Sequence, residues 1–324
     1  MGGSLYIFNF NIFLLNNIRN KYVKFIVKVF ILLLLVAVSD QLVGHILRHF
    51  YFTQVAGADY RATYAMDSTV AKILVLGSSR ANHHYVPDVF ENSLNMSFYN
   101  AGRDGSYLIC NYAVFKALVK RYTPKIILFD IDPDEMHYDT ESYDRLSSLL
   151  PYYKDHPEIQ GIVNLRSPYE QYKNISAIYP FNSYLLKIGM GNLELNKNRK
   201  GDIKGYVPLR NCLQDTVLTK ESMTDGTLDS NKVNALINVM KYCNENNIKL
   251  VFIQSPFFGY IQLGKSTDLL NQLAEQHNVC FWSFANDPYF LVNPGYFADK
   301  SHLNEKGANY FCELVVKRLI GNAN

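Results

Sequence analysis

The sequence lacks the cysteine pattern of a metal-binding or disulfide-stabilised protein. Its five cysteines, an odd number, form no CxxC pair and show no spacing typical of zinc ligands. Cys243 and Cys312 fall on helical patterns and Cys280 opens a strand-like run, so we interpret them as apolar packing residues. We expect neither a metal nor an organic cofactor.

A strong charge excess is also missing. The 324 residues carry a net charge of +3 with a pI near 8.4, which is too weak and too dispersed to predict a nucleic-acid partner. Apolar residues make up 48% and charged residues 19%, as in a globular chain with one large domain and an appendage. The 24 tyrosines fit either a carbohydrate-like ligand surface or ordinary packing, and both interpretations stay open.

An apolar segment is present near the N-terminus. Residues 29–38 read VFILLLLVAV, and we predict a transmembrane signal-anchor helix over 25–47, after a cytoplasmic tail at 1–24. Four Lys and Arg residues between 19 and 28 precede the apolar run, so the rest of the chain is expected on the extracytoplasmic (periplasmic or external) side. The alternative is a signal peptide cleaved near Ser39; the apolar residues that resume after Asp40 favour the anchor.

Strand-like and helical patterns alternate after a predicted linker at 48–69. Because the strands are short and apolar on both faces, they predict an α/β domain over 70–320 with a doubly wound, flavodoxin-like, five-stranded parallel sheet. The predicted strands are Lys72–Leu76, Ser97–Ala101, Ile126–Ile131, Lys249–Gln254 and Val279–Phe284, and the predicted helices are Val86–Leu94, Leu108–Arg121, Asn231–Asn246, Ser266–Gln276 and Glu305–Ile320.

Residues 135–230 interrupt this alternation. The stretch is too long for a structureless loop in a compact domain, so we interpret it as an inserted, partly helical cap over the exit of the third strand. An insertion that contacts only other subunits or the membrane surface is the alternative.

Chemically active residues follow several strands of the predicted sheet, at the edge where such sheets bind ligands. Ser79 follows the first strand, and Asp299 and His302 follow the fifth. A serine nucleophile needs an adjacent base, and the base needs a carboxylate that fixes its tautomer. Taken singly, these residues also fit a helix cap, a turn and an exposed histidine. Likewise, we interpret His83 and His84 as surface or first-turn helix positions rather than metal ligands.

These blocks resemble the SGNH (GDSL-like) hydrolase superfamily over residues 70–320, and its membrane-anchored extracytoplasmic branch in bacteria that acylate or deacylate surface polysaccharides. The resemblance implies that Gly77-Ser78-Ser79 supplies the nucleophile and that Asp299 and His302 complete a triad. It also implies an oxyanion donor at Gly105, with Gly102 as the second choice.

The third family block, Gly-x-Asn-Asp, is absent. The corresponding strand ends in Asp130-Ile131-Asp132-Pro133-Asp134, without the asparagine that donates to the oxyanion. Loss of one such donor costs on the order of 2.7–4 kcal/mol of transition-state stabilisation. Arg80 is predicted to pair with Asp132 or Asp134 and to neutralise their charge.

The resemblance therefore implies a membrane-anchored, exported serine esterase or O-acyltransferase that acts on acyl groups of a cell-surface carbohydrate. The expected partners are the acylated polysaccharide, the membrane and cell-envelope polysaccharide machinery. The alternative is a catalytically weak or inactive protein of the same fold that binds polysaccharide or assists its assembly.

Overall fold

The computed structural model describes residues 19–193, 203–214, 217–222 and 226–321. Most of the predicted tail at 1–24 lies outside the described residues, as do parts of the predicted insertion at 135–230.

A five-stranded parallel sheet forms the centre of the domain, in the order β2-β1-β3-β5-β7. This order and the alternating helices confirm the predicted doubly wound α/β fold. A second, two-stranded parallel sheet pairs β4 with β6; the sequence patterns did not indicate it. The strands are β1 (Ile73–Leu76), β2 (Phe98–Asn100), β3 (Ile126–Asp130), β4 (Lys220–Ser222), β5 (Lys249–Gln254), β6 (Tyr260–Gln262) and β7 (Cys280–Ser283).

The strands fold this way because both faces of the sheet are covered. Successive side chains of β1 point to opposite faces, so Leu74 and Leu76 join the core on one side, while Ile73 and Val75 join the core on the other. All four side chains are fully buried. Burial on both faces accounts for their continuous apolar sequence.

Helices cover the two faces and extend outward from one of them. The α-helices are α1 (Lys21–Phe52), α2 (Ala58–Asp67), α3 (Ser79–His84), α4 (Pro87–Leu94), α5 (Leu108–Arg121), α6 (Thr140–Asp144), α7 (Pro157–Val163), α8 (Glu170–Lys173), α9 (Leu185–Asn192), α10 (Ser230–Glu245), α11 (Lys265–Gln276), α12 (Pro288–Leu291) and α13 (Glu305–Gly321). Helices α5 and α10 contribute to the core that contains Leu74, and α13 to the core that contains Ile73.

Helix α1 extends beyond the predicted span of 25–47 at both ends. It is long and apolar enough to cross a membrane, with a mean hydropathy of 2.4 over its most apolar window, none of which is buried. Its C-terminal part instead packs on the domain, where Tyr51 is 1% exposed within a third apolar cluster. The stretch 48–69, expected as a linker, is largely helical: it contains the end of α1 and all of α2, whose Met66 is buried.

The described part of the insertion is partly helical and contacts several parts of the domain. Helix α7 packs against α5, and α9 packs against α1. A later piece runs beside the helix that begins at Ser79: the N–H of Val207 donates to the carbonyl of Asn82 at 3.0 Å.

Candidate active site

Ser79 is the first residue of α3 and follows β1 after a tight turn. Gly77 makes this turn possible, because its φ of 148° is in a region that favours glycine, and an added Cβ would lie 2.8 Å from the carbonyl oxygen of Asp130. The chain therefore leaves the sheet close to β3 and presents the Ser79 side chain at the carboxyl edge of the strands.

Three side chains from opposite ends of the domain form a hydrogen-bonded chain at this edge. The Oγ of Ser79 lies 2.8 Å from Nε2 of His302. The Nδ1 of His302 lies 2.9 Å from each carboxylate oxygen of Asp299. Since a carboxylate only accepts, Nδ1 carries the proton and Nε2 is left to accept the hydroxyl proton of Ser79.

The Asp299 carboxylate is held in place by its own turn. Besides the His302 ring, the backbone N–H groups of Ser301 and His302 donate to its Oδ1, at 2.8 and 2.9 Å. Partial burial raises the pKa of Asp299, but these hydrogen bonds outweigh burial and hold the pKa below its usual range. The carboxylate is therefore ionised and fixed against the imidazole.

A second histidine, His84, supports the loop that carries His302. Its Nε2 accepts the backbone N–H of Leu303 at 2.9 Å, so its Nδ1 carries the proton that faces Ser255 Oγ at 3.0 Å. Burial lowers the pKa of His84 well below its ordinary value, and the neighbouring His302 and Arg80 lower it further. His84 is therefore a neutral, fully buried support of the loop.

His83 and His84 lie in α3, and a helix was one of the two placements expected for them, but neither is at the surface. His83 is 7% exposed and His84 is fully buried. His83 lies edge-on to the His302 ring, at 5.5 Å between centroids. Its Nδ1 donates to the carbonyl of Val207 at 2.6 Å, and its Nε2 lies 3.3 Å from Asp104. The hydrogen-bond partner of His83 comes from the insertion. The sequence around His83 therefore could not predict that its side chain is buried.

Arg80 forms an ion pair with Asp132, as the sequence suggested for one of the two carboxylates. The Arg80 side chain is 7% exposed, so the pair is largely shielded from water on the arginine side. Asp134 lines the same pocket and is exposed. Burial raises the pKa of Asp130, at the end of β3, against the opposing effect of Arg80.

The two candidate glycine donors occupy different places. The N–H of Gly102 donates to Asn100 Oδ1 at 2.9 Å, so it is already engaged. A Cβ on Gly102 would lie 2.6 Å from the Cβ of Ala81. Gly102 therefore allows close contact between α3 and the turn that follows β2, which we call the β2 turn. Gly105 has a φ of 66° and lines a neighbouring cavity beneath the guanidinium of Arg145 rather than the pocket at Ser79.

A pocket of about 270 Å³ lies over the serine and histidine. One wall carries Arg80, Asp132 and Asp134, and the other carries the apolar side chains of Phe257 and Ile261. Ile261 belongs to β6, so the small second sheet helps to form this wall. Among the described residues, no group of three or more His, Cys, Asp or Glu side chains could hold a metal ion.

Neither a family model nor a curated protein matches this chain. Solved structures similar to it include a G-D-S-L family protein from Desulfitobacterium hafniense DCB-2, at 10% identity over 76% of this chain and 97% of that one, with a TM-score of 0.38. The acetyl xylan esterase AlAXEase is 10% identical over 78% of this chain and all of its own, with a TM-score of 0.38. A GDSL-like protein from Parabacteroides merdae ATCC 43184 is 13% identical over 76% of this chain and 93% of its own, with a TM-score of 0.37. Because these values are low, we base the function on this chain's own residues.

Proposed function

We propose that this protein is a serine esterase or O-acyltransferase of the SGNH type, tethered to a membrane and acting on an acylated carbohydrate outside the cytoplasm. The hydrogen-bonded chain from Ser79 Oγ through His302 to Asp299 carries this proposal, because it is the arrangement that activates a serine hydroxyl. Ser79 and His302 are both partly exposed beside an open pocket, so an ester can reach them.

The reaction proceeds in two acyl transfers. Ser79 Oγ attacks the ester carbonyl carbon while Nε2 of His302 takes its proton, and Asp299 stabilises the resulting imidazolium. The carbon–oxygen ester bond then breaks as His302 returns that proton to the departing alkoxide, leaving an acyl-serine. Water or a sugar hydroxyl next gives its proton to His302 and attacks the acyl carbon, and the proton finally returns to Ser79.

Stabilisation of the oxyanion depends on few donors. The N–H of Ser79, at the first position of α3, is the donor that this turn supports best. The neighbouring guanidinium of Arg80 adds positive charge to the pocket, although Asp132 offsets much of it. Gly105 lines the neighbouring cavity, so we assign the oxyanion to the N–H of Ser79.

The carbohydrate substrate and the location are part of the same proposal. Hydroxyl-rich esters suit a pocket with carboxylates on one wall and apolar side chains on the other. Helix α1 and the basic residues before it support an anchor with the domain on the extracytoplasmic side.

A second candidate function is favoured by the end of β3. Asp130 and Asp132 stand where the family resemblance implies an amide donor, and the N–H of Gly102 is engaged by Asn100. A protein with this pocket that binds polysaccharide without turning it over would tolerate both features.

Labelling of the full chain in detergent micelles with a fluorophosphonate separates the two candidates. Activated Ser79 should be labelled and should hydrolyse a short-chain aryl ester, and Ser79→Ala should abolish both. Ser78→Ala is the matched control, because Ser78 precedes the nucleophile and its side chain makes no capping hydrogen bond. Labelling that persists in Ser79→Ala contradicts the mechanism, whereas glycan binding without labelling supports the second candidate.

Removal of the orienting carboxylate tests the rest of the triad. Asp299→Asn should lower the rate of ester hydrolysis by about 10²–10⁴-fold, because the amide cannot hold the required imidazole tautomer. Asp268→Asn, at an exposed position in the first turn of α11, should leave the rate unchanged. Equal rates in the two variants would exclude Asp299 from the mechanism.

A further inference from the structure

Several large apolar side chains are exposed along one short segment, which meets α1 where its apolar run ends. Residues 21–38 of α1 make the part that could lie in a membrane, and Asp40 is the first acidic residue after that run. The side chains of Leu165, Tyr169, Tyr172 and Ile175 are 41–71% exposed; we call these four residues the collar. Large apolar side chains that are exposed together in one short segment indicate a surface that binds a partner.

Asp40 joins the collar segment to α1. Its carboxylate accepts hydrogen bonds from Ser176 Oγ at 2.5 Å and from the N–H of Ala177 at 2.7 Å. One turn further along α1, Gly44 packs directly against Ala177, where an added Cβ would lie 2.3 Å from the Ala177 Cβ. Ile175 is therefore fixed beside the point where α1 enters the domain.

The collar segment is itself held by a buried carboxylate. Glu170 is fully buried and is bound by Arg166 at 2.8 Å, by Lys173 at 2.9 Å and by the hydroxyl of Tyr179 at 2.7 Å. These contacts fix the backbone of α8. The exposed side chains of Tyr169 and Tyr172 are thus presented from an ordered support.

We infer that the collar inserts into the interfacial layer of the same membrane that α1 crosses, on the side that holds the domain. Tyrosine favours this layer because its ring is apolar and its hydroxyl is polar. The position of the collar beside the end of the apolar run points to lipid rather than to a protein partner. The domain would then rest on the bilayer at two points, α1 and the collar. This inference depends on the membrane anchor and not on the proposed chemistry.

Tryptophan fluorescence of the full chain in lipid vesicles tests the contact. Tyr172→Trp and Ile175→Trp each place a probe in the collar at a position that is already exposed, so packing is preserved. The vesicles contain phosphatidylcholine and phosphatidylglycerol, with or without bromine on the acyl chains. The single natural tryptophan, Trp282, is 8% exposed and gives a constant baseline.

Matched probes define the two limits of the measurement. Leu35→Trp lies in the apolar run of α1 and should be quenched, whereas Val292→Trp, 73% exposed at the end of α12, should not. Brominated lipid should quench the emission added at positions 172 and 175 more than that at position 292 and less than that at position 35, as for an interfacial side chain. The inference is overturned if the probes at positions 172 and 175 are quenched no more than the probe at position 292. If the probe at position 35 is quenched in that case, the membrane anchor stands and the collar contacts water or a protein. If the probe at position 35 is not quenched either, the anchor is contradicted as well.

Discussion

At the scale of single residues, His84 determines how well the triad is assembled. Its two ring nitrogens link the backbone N–H of Leu303, next to the base, to the hydroxyl of Ser255. His84 is fully buried and satisfies two buried polar groups at once. His84 is therefore a positioning residue: it holds the loop that carries His302 and does not touch the reacting atoms.

A pair of substitutions separates this positioning from simple packing. His84→Leu leaves the N–H of Leu303 and the hydroxyl of Ser255 without this partner, which should cost about 1–3 kcal/mol of unfolding free energy per unsatisfied group. Fluorophosphonate labelling of Ser79 should slow markedly. His84→Gln offers an acceptor and a donor and should restore part of the labelling rate. Equal labelling rates in both variants and in the natural chain would show that the loop does not depend on these hydrogen bonds.

The sequence predicted the triad residues but not their support. Serine after the first strand and Asp-x-x-His after the fifth follow from the topology, since parallel strands bring their carboxyl ends to one edge. The partners of His83 and His84 are a carbonyl in the insertion and a serine after β5. No local pattern links such distant partners, so the sequence indicated a surface or first-turn helix position for these histidines but not their burial.

At the scale of elements, the position of α3 depends on a contact with the β2 turn. Gly102 lies against Ala81 and Asn82, so the turn and the helix approach at backbone distance. Arg103 N–H also donates to the carbonyl of Gly77 at 3.2 Å, which ties the β2 turn to the serine turn. The orientation of Ser79 is therefore set by two turns together.

Gly102→Ala tests this contact. The added methyl should push α3 away from the turn, destabilise the fold by about 1–3 kcal/mol and reduce labelling of Ser79. Gly161→Ala, inside α7, is the matched control, because an added Cβ there meets nothing within 4 Å. That variant should be neutral or more stable by about 0.4–1 kcal/mol. Thermal unfolding and fluorophosphonate labelling are measured for both variants. Unaltered labelling of Ser79 in Gly102→Ala would show that the orientation of Ser79 does not depend on this contact.

The N-terminus of α5 introduces a pH dependence of stability. Glu135 accepts the N–H of Leu108 at 2.6 Å, and burial raises the pKa of Glu135 from 4.5 to about 7. Between these values the folded chain retains a proton that the unfolded chain has lost, so the free energy of unfolding falls as pH rises from about 4.5 to 7. Glu135→Gln cannot ionise and should reduce this fall by on the order of 1–2 kcal/mol.

Urea unfolding at pH 5 and pH 7.5 measures this effect. Glu245→Gln, at an exposed position near the end of α10, is the control and should retain the pH dependence of the natural chain. An unchanged pH dependence in Glu135→Gln would show that other groups produce it.

Among the helices and strands, those with a regular apolar periodicity were predicted best. Helix α5 and strand β5 have the predicted limits, because each combines a clear apolar pattern with definite ends. The helix expected directly after the serine turn is short, because only six residues separate that turn from the next bend. The three-residue strands β4 and β6 are too short to show a period, and β4 is paired by a segment about 40 residues away.

At the scale of the whole molecule, the candidate membrane span and the domain share one helix. The ring of Tyr51 lies 5.9 Å from Tyr152, 5.6 Å from Phe181 and 5.4 Å from Tyr184, between centroids. Arg48 adds an ion pair with Asp155 at 2.5 Å. The end of α1 is thus part of the domain's packing, and the division at residue 48 expected from hydropathy separates residues that fold together.

Two shortened chains test whether the end of α1 stabilises the domain. A chain that begins at Ser39 retains Asp40, Gly44 and Tyr51, whereas one that begins at Ala58 loses them and exposes the cluster beneath. Loss of the buried aromatic contacts should lower the midpoint of thermal unfolding by about 5–10 °C and increase aggregation. Differential scanning calorimetry of the two chains checks this, and equal midpoints would mean that α1 contributes nothing to the domain.

The distance along the chain between nucleophile and base has a consequence for biogenesis. Ser79 and His302 are separated by 223 positions, so the pair forms only after nearly the whole polypeptide has been synthesised and β7 and the loop after it have docked. A nascent chain that has not reached His302 holds a serine without its imidazole. The order of synthesis therefore delays the assembly of the candidate site, and a chain that stops before residue 302 cannot form the hydrogen-bonded group.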